Sequence, residues 1–224
     1  RTLLADLRIG IKESTIRDAM AAAFFEPDKK AESLKIIQSA IDNSNDIASV
    51  FEVAKKGRLK GFDKIKIEVG KPIKVMLAQK AKNIKEAFEK VGKPCAIEYK
   101  YDGFRMLIHK KGSSVILFTR RLENVTKQFP EVVDYVKKYV KGESFIIDSE
   151  AVGFHNQTKE YKPFQEISQR IKRKYDIEKL QAELPVEINV FDILYYNGKA
   201  LLKEPFEKRT ELIKKIIKNT PYKI

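Results

Sequence analysis

Ala96-Ile97-Glu98-Tyr99-Lys100-Tyr101-Asp102-Gly103-Phe104-Arg105 is the stretch on which the reading of the chain turns. Its alternation predicts a strand, with Ile97, Tyr99 and Tyr101 on one face and Glu98, Lys100 and Asp102 on the other. Charged side chains at period two cannot all enter an apolar core without partners, so that face lines either solvent or a polar pocket. Gly103 allows a sharp turn, and Arg105 then falls on a second strand, Phe104 to Lys110. Taken alone, the pattern also fits an amphipathic edge strand with a solvated charged face.

The chain around this stretch has 224 residues, enough for one or two domains with a real core. No apolar run approaches the ~20 residues of a membrane span, and nothing at the start reads as a signal peptide. A single cysteine, Cys95, excludes a disulfide framework and fits a reducing interior; it reads as a small buried residue ahead of the key strand. With two histidines beside it, a structural zinc site is excluded as well. The net charge of +14 is unevenly spread. Residues 1–68 hold 13 basic and 11 acidic side chains, and residues 69–224 hold 32 and 20. The excess belongs to the segment with Lys100, and it implies a polyanionic partner bound with salt-sensitive affinity.

Residues 1–57 read as helical. Thr15 with Asp18 predicts a capping box ahead of Ile16–Phe25, ended by Pro27. A second helix is expected from Lys30 to Ile41, and a third on Ile47, Val50, Phe51 and Ala54, stopped by Gly57. Gly61, Gly70 and Pro72 break the periodicity, which places a domain boundary near residue 70. A short helix follows, capped by Asn83 and Glu86, with Ile84, Ala87, Phe88 and Val91 as its apolar stripe and Gly92 as its stop. Beyond the central stretch, strands are expected at Phe104–Lys110 and Val115–Arg121, joined at Gly112-Ser113-Ser114. A helix at Phe129–Val140 precedes a strand at Ser144–Phe154. Pro163–Leu180 reads as one basic helix, Pro185–Tyr196 as a strand turning at Asn197-Gly198, and Pro205–Lys218 as a last helix. This order predicts an α+β domain with a mostly antiparallel sheet behind an all-helical segment.

Lys100-Tyr101-Asp102-Gly103 is the K-x-D-G signature of covalent nucleotidyltransferases, and the run Glu98 to Arg105 resembles the ATP-dependent DNA ligases of archaea and eukaryotes in particular. Further stretches are similar to that family: Leu117 to Thr126, Phe145 to Val152, Pro163 to Ile167 and Val190 to Gly198. The resemblance implies that residues 1–68 are the end of a helical DNA-binding domain. Residues 69–224 would then be the first part of an adenylation (nucleotidyltransferase) domain. It implies that Lys100 attacks the α-phosphate of ATP and holds AMP as a phosphoramidate, with Mg2+ offsetting phosphate charge. AMP then passes to the 5′-phosphate of nicked duplex DNA before the 3′-hydroxyl displaces it. For such an attack the amine must lose its proton, and a free lysine with pKa near 10.4 rarely does so at neutral pH. Burial, cationic neighbours such as Arg105 and Arg120, or a metal would favour the neutral form.

By the same resemblance Glu98 accepts a hydrogen bond from the adenine amino group, where its alternative is a structural pair with Lys100. Arg120 reaches phosphate or ribose, although Thr119 and Arg121 stand where the family usually has serine and asparagine. Glu150 meets the sugar or the metal, with Asp148 as support. Phe191 stacks on adenine, where its alternative is core packing. Arg170, Lys172, Arg173 and Lys174 would form a basic patch, as a solvated helix face or against DNA phosphates.

The family's later Glu-Gly motif, its distal lysine pair and its C-terminal barrel are absent from the sequence. The expectation is therefore the middle portion of a longer enzyme, impaired in sealing when alone. Such an enzyme would be monomeric, would not engage membranes, and could reach a sliding clamp only through regions outside these residues. It would be intracellular, in the cytoplasm of an archaeon or the nucleus of a eukaryote. Two alternatives stay open: an RNA ligase or capping-type nucleotidyltransferase, and a non-catalytic basic DNA-binding module.

Overall fold

Apolar residues at helical spacing build the first part of the chain. Helices α1 (Glu13–Phe24), α2 (Lys30–Ser44) and α3 (Ile47–Ala54) bury Met20, Ala21, Ile37, Ala40, Ile41, Val50, Ala54 and Phe62 in one cluster. The computed structural model describes residues 12–56, 59–74, 78–173 and 175–224. The expected stop at Gly57, the opening residues Arg1–Gly10, Val75–Leu77 just past the expected domain boundary, and Lys174 lie outside them. By packing, the chain divides into units Arg1–Ile73 and Lys74–Ile224.

The capping box at Thr15 and Asp18 does not form. The helix has already begun, because the Thr15 N–H donates to the Lys12 carbonyl (3.0 Å), and Asp18 instead accepts from the Arg17 guanidinium. α2 runs past Ile41 until Asn45 adopts a left-handed φ of 49° and returns its N–H to Ile41 O (2.8 Å). Asp46 caps α3 through the Ser49 N–H (3.0 Å).

In the second unit, α4 (Ile84–Val91) has the expected cap: Asn83 Oδ1 accepts from Glu86 N at 2.9 Å and Glu86 Oε2 from Lys82 N at 2.8 Å. Its apolar stripe, however, buries nothing, since Ile84 is 76% and Val91 66% exposed. The strand expected at residues 96–101 is also missing. That segment joins no ladder of the sheet. A strand needs a free edge for its N–H and C=O groups. The strand it leads into, β1 (Phe104–Lys111), is paired on both sides, with β2 (Ser114–Thr119) and β3 (Ser144–Gly153). Cys95, expected inside, is exposed for the same reason.

The sheet is antiparallel throughout, in the order β2-β1-β3-β4-β5, with β4 at Val186–Tyr196 and β5 at Lys199–Ala200. The α+β architecture with a mostly antiparallel sheet is therefore as the sequence predicted. Asn197 and Gly198, with φ of 42° and 92°, make the tight turn between β4 and β5. Helices α5 (Pro130–Tyr139), α6 (Phe164–Lys172) and α8 (Phe206–Ile216) join Phe104, Met106, Ile108, Ile147, Ala151 and Ile188 in one core. The opposite side of β1 and β3 carries Arg105, Asp148 and Glu150.

The expected helix over 163–180 is two, α6 and α7 (Ile177–Glu183), separated where Asp176 takes φ 56°. Arg170 is no part of a basic patch. It is 1% exposed, lies 4.3 Å over the Phe129 ring, and forks onto Glu131 at 2.5 and 3.0 Å. It also donates to the carbonyls of Leu184 and Gln128. The reason is position: α6 seats on the sheet through Ile167, and Arg170, one turn later, shares that inward face. Lys172 and Arg173 are exposed.

Two outcomes follow. Glu131→Ala strands a buried guanidinium, so equilibrium denaturation should show a loss of about 3–5 kcal/mol. His109 on β1 is fully buried, and burial lowers its pKa from 6.5 to about 4. Below pH 6.5 the unfolded chain takes up a proton that the folded chain refuses until about pH 4. Stability should fall as the pH drops through that window, and the urea midpoint of His109→Leu should fall less steeply between pH 7 and 4.

Candidate active site

The site is a row of charges on the side of the sheet away from the helices. Glu150 on β3 is the register partner of Arg105 on β1 and of Asn189 on β4. One step along, Asp148 faces Leu107 and Asp192. Arg105 reaches diagonally to Asp148, donating from Nε at 2.7 Å and from Nη2 to the second carboxylate oxygen. Asp148 is 2% exposed, so this fork stands in for the water it has lost. The Arg105 guanidinium also lies 5.6 Å from the centre of the Phe191 ring.

Phe191 owes its place to an irregularity. Asp148 pairs with Asp192 but Ser149 pairs with Val190, so β4 has one extra residue at this step, and it is Phe191. A bulge of this kind places two successive side chains on one face, which strict alternation forbids. Phe191 and Asp192 therefore stand side by side. Phe191 is half-buried and lies outside the apolar core cluster. Asp192 is gripped by Arg209 of α8, from Nε at 2.8 Å and Nη2 at 3.1 Å, and accepts from the Ile193 N–H at 2.8 Å.

The segment that leads into β1 crosses above this row. Ile97 and Tyr99 point to solvent, at 89% and 88% exposure. The charges between them act on the sheet. Glu98 is mostly exposed, yet lost water and then the charge of Asp192 raise its pKa. Burial raises that of Glu150. Lys100 and Arg105 pull it back, and Asp148 and Asp102 add to the rise. Burial likewise raises Asp148 against the pull of Arg105. Lys100 itself is exposed rather than enclosed in a cleft, and its ammonium donates to the Tyr101 carbonyl at 3.2 Å. Its segment lies over the sheet without being built into it.

Gly103 marks the crossing point. A Cβ there would lie 2.3 Å from the Ala151 carbonyl oxygen and 3.0 Å from Cγ of Glu150. Only glycine lets the chain descend onto β3 at this spot.

Arg120 stands apart on a tight turn after β2, exposed, one residue beyond Thr119, whose register partner is Met106. The turn is held by Thr119. Its N–H donates to Glu123 O (3.0 Å), its carbonyl accepts from Leu122 N (2.8 Å), and its hydroxyl accepts from Arg121 N (3.2 Å) and Glu123 N (3.4 Å). Threonine in place of the expected serine keeps the hydroxyl that the turn uses. The structure thus groups Arg105, Glu150 and Phe191, brings Glu98 and Lys100 within electrostatic reach of the same face, and leaves Arg120 at its β2 end. Sequence reasoning missed Asp192 and Arg209. Alternation put Asp192 opposite Phe191, and Arg209 reads as one more cation in a lysine-rich helix.

A model of the family described as ATP dependent DNA ligase domain matches residues 75–224. The chain belongs to that family. Over 224 residues it is 47% identical to a DNA ligase of Nanoarchaeum equitans, covering 100% of this chain and 38% of that protein. It is 39% identical to a DNA ligase of Nitrosopumilus maritimus, covering 99% and 37%, and 41% identical to one of Thermococcus onnurineus, covering 97% and 37%. The chain thus spans a little over a third of the length of the curated relatives it matches. A mycobacterial DNA ligase D complexed with ATP and MES overlaps 53% of this chain and 35% of its own, at 26% identity and a TM-score of 0.39. No described helix is long and apolar enough to cross a membrane.

Within this ligase-family site, Gly103→Ala tests the close approach. The added methyl should cost roughly 1–3 kcal/mol by overpacking. It should also move the Lys100 segment off β3, seen as a changed amide environment at Ala151 in NMR spectra.

Proposed function

We propose that this chain is the catalytic middle of an ATP-dependent DNA ligase, which seals nicks in duplex DNA through a lysyl-AMP intermediate. The observation that carries this is the facing of charges: Glu98 feels the Asp192 charge, Lys100 and Asp102 act on Glu150, and Ile97 and Tyr99 point to solvent. Membership of the ligase family adds to it.

In this reading the neutral Lys100 Nζ attacks the α-phosphorus of ATP. The P–N bond forms as the α–β anhydride breaks, and pyrophosphate leaves with the electron pair. The phosphoramidate passes AMP to the 5′-phosphate at the nick, and the 3′-hydroxyl then forms the phosphodiester and expels AMP. Phe191 supplies a face for adenine, worth roughly 1–3 kcal/mol in stacking, and Glu98 accepts from the exocyclic amine. Glu150 meets the sugar. Arg105, already bound to Asp148, adds positive charge beside the phosphates, and Arg120 reaches them from the β2 turn. The helical unit and the basic excess of residues 69–224 would hold the DNA backbone.

Mg2+, when bound, neutralises phosphate charge. Among the described residues no three His, Cys, Asp or Glu side chains are grouped to hold a metal. Asp148 and Asp192 are taken by guanidinium forks. Magnesium would therefore be held by one or two carboxylates, Glu150 among them, together with the substrate phosphates. A clamp partner would have to be met outside these residues.

The exposure of Lys100 favours a second reading, a basic DNA-binding module without catalysis. One experiment separates them. The protein expressed from its full gene is incubated with α-labelled ATP or GTP, then with nicked DNA or RNA duplexes. Label from ATP should appear on Lys100, and Lys100→Ala should reduce labelling and DNA sealing to background. Labelling from GTP would point to a capping-type enzyme, and preferential RNA sealing to an RNA ligase. Unchanged sealing by Lys100→Ala would remove the nucleophile and leave the binding module.

A further inference from the structure

The Asp192–Arg209 pair joins the candidate site to a helix on the other side of β4. Arg209 is fixed at every donor position the fold can reach. Nε and Nη2 hold the Asp192 carboxylate, Nη1 donates to the Glu204 carbonyl at 2.6 Å, and the guanidinium carbon lies 5.5 Å from the Phe206 ring centre. The two side chains are 15% and 19% exposed, so the pair is partly shielded from solvent. Asp192 is also the residue next to the unpaired Phe191, and its carboxylate takes up the Ile193 N–H just past the bulge. A bulged strand has more than one way to place its extra residue. A carboxylate pinned from both sides selects one.

We propose that Arg209 is a positioning residue: by gripping Asp192 it fixes the β4 bulge in the form that presents Phe191 beside Arg105, and so sets the affinity for ATP without touching the nucleotide. The proposal rests on the reading of Phe191 as the adenine-stacking side chain. Its second consequence is electrostatic. Arg209 offsets part of the Asp192 charge, which still reaches Glu98, and so lessens the repulsion that a polyanionic triphosphate would meet there.

The test is the dependence of lysyl-AMP formation on ATP concentration, in the protein expressed from its full gene. Arg209→Met should raise the ATP concentration for half-maximal labelling about five- to tenfold, less than the full loss of a charge-assisted fork because Arg209 acts on the nucleotide only through Asp192 and Phe191. The maximal rate should change less than about twofold, because no group on the reacting atoms is lost. Asp192→Asn should do the same, and the double variant should be no worse than the weaker single, since both act through one link. If Arg209→Met does not fold, Asp192→Asn, which preserves shape, carries the test. Unchanged half-saturation with only a lower melting temperature, or losses that multiply in the double variant, would overturn the proposal. Lys100→Ala run in parallel keeps the two readings distinct. If it still labels, the adenylation reading fails; if it is silent and Arg209→Met titrates like the parent, only the role of Arg209 fails.

Discussion

A carboxylate taken out of water in the middle of a sheet requires a fixed cation, and this requirement shapes the second half of the chain. Asp148 is almost wholly buried on β3, and Arg105 reaches it diagonally across two residues of register. The fork holds the guanidinium against Phe191 on the next strand but one. Breaking either end would leave an unpaired charge in a poorly hydrated place, far costlier than the modest net gain of forming the pair. The same logic repeats at Asp192 with Arg209, and at Glu131 with Arg170 inside the helical layer. Three guanidiniums that count alike in composition thus have fixed structural partners, and the basic excess left for a polyanion comes mostly from lysines.

That arrangement separates two layers of the candidate site. In the sheet layer Asp148 and Asp192 are paired with guanidiniums, and β1 and β3 are in ladders on both sides. The segment with Glu98, Lys100 and Asp102 has no ladder and is anchored chiefly where Gly103 drops onto β3. Under the proposed reading, a nucleophile on such a segment could approach a bound phosphate and withdraw again, as a lysine that first accepts AMP and then surrenders it would need to.

Several sequence readings translated directly because they depend only on neighbours along the chain. The Asn83–Glu86 cap, the turn at Asn197-Gly198 and the positions of β1, β3 and β4 follow from local hydrogen bonding and period-two patterning. The K-x-D-G run was equally legible. Readings failed where a partner had to be supplied from afar. The strand at 96–101 and the stripe of α4 had the right periodicity, but β1, into which that stretch leads, is already paired on both sides, and Ile84 and Val91 stay exposed. Arg170 was misread because helical charge runs look alike whether the face points out or in.

By itself, then, the sequence determined the element types, the antiparallel α+β class and the chemical identity of the groups around Lys100. Those are properties of short stretches, set by backbone stereochemistry and side-chain spacing. Tertiary structure alone decided which charges face one another. The bulge that sets Phe191 beside Asp192 exists only against β3, and the reach of Arg209 from α8 exists only once that helix is packed. Pairing across strands depends on register, and register is fixed by the whole core at once.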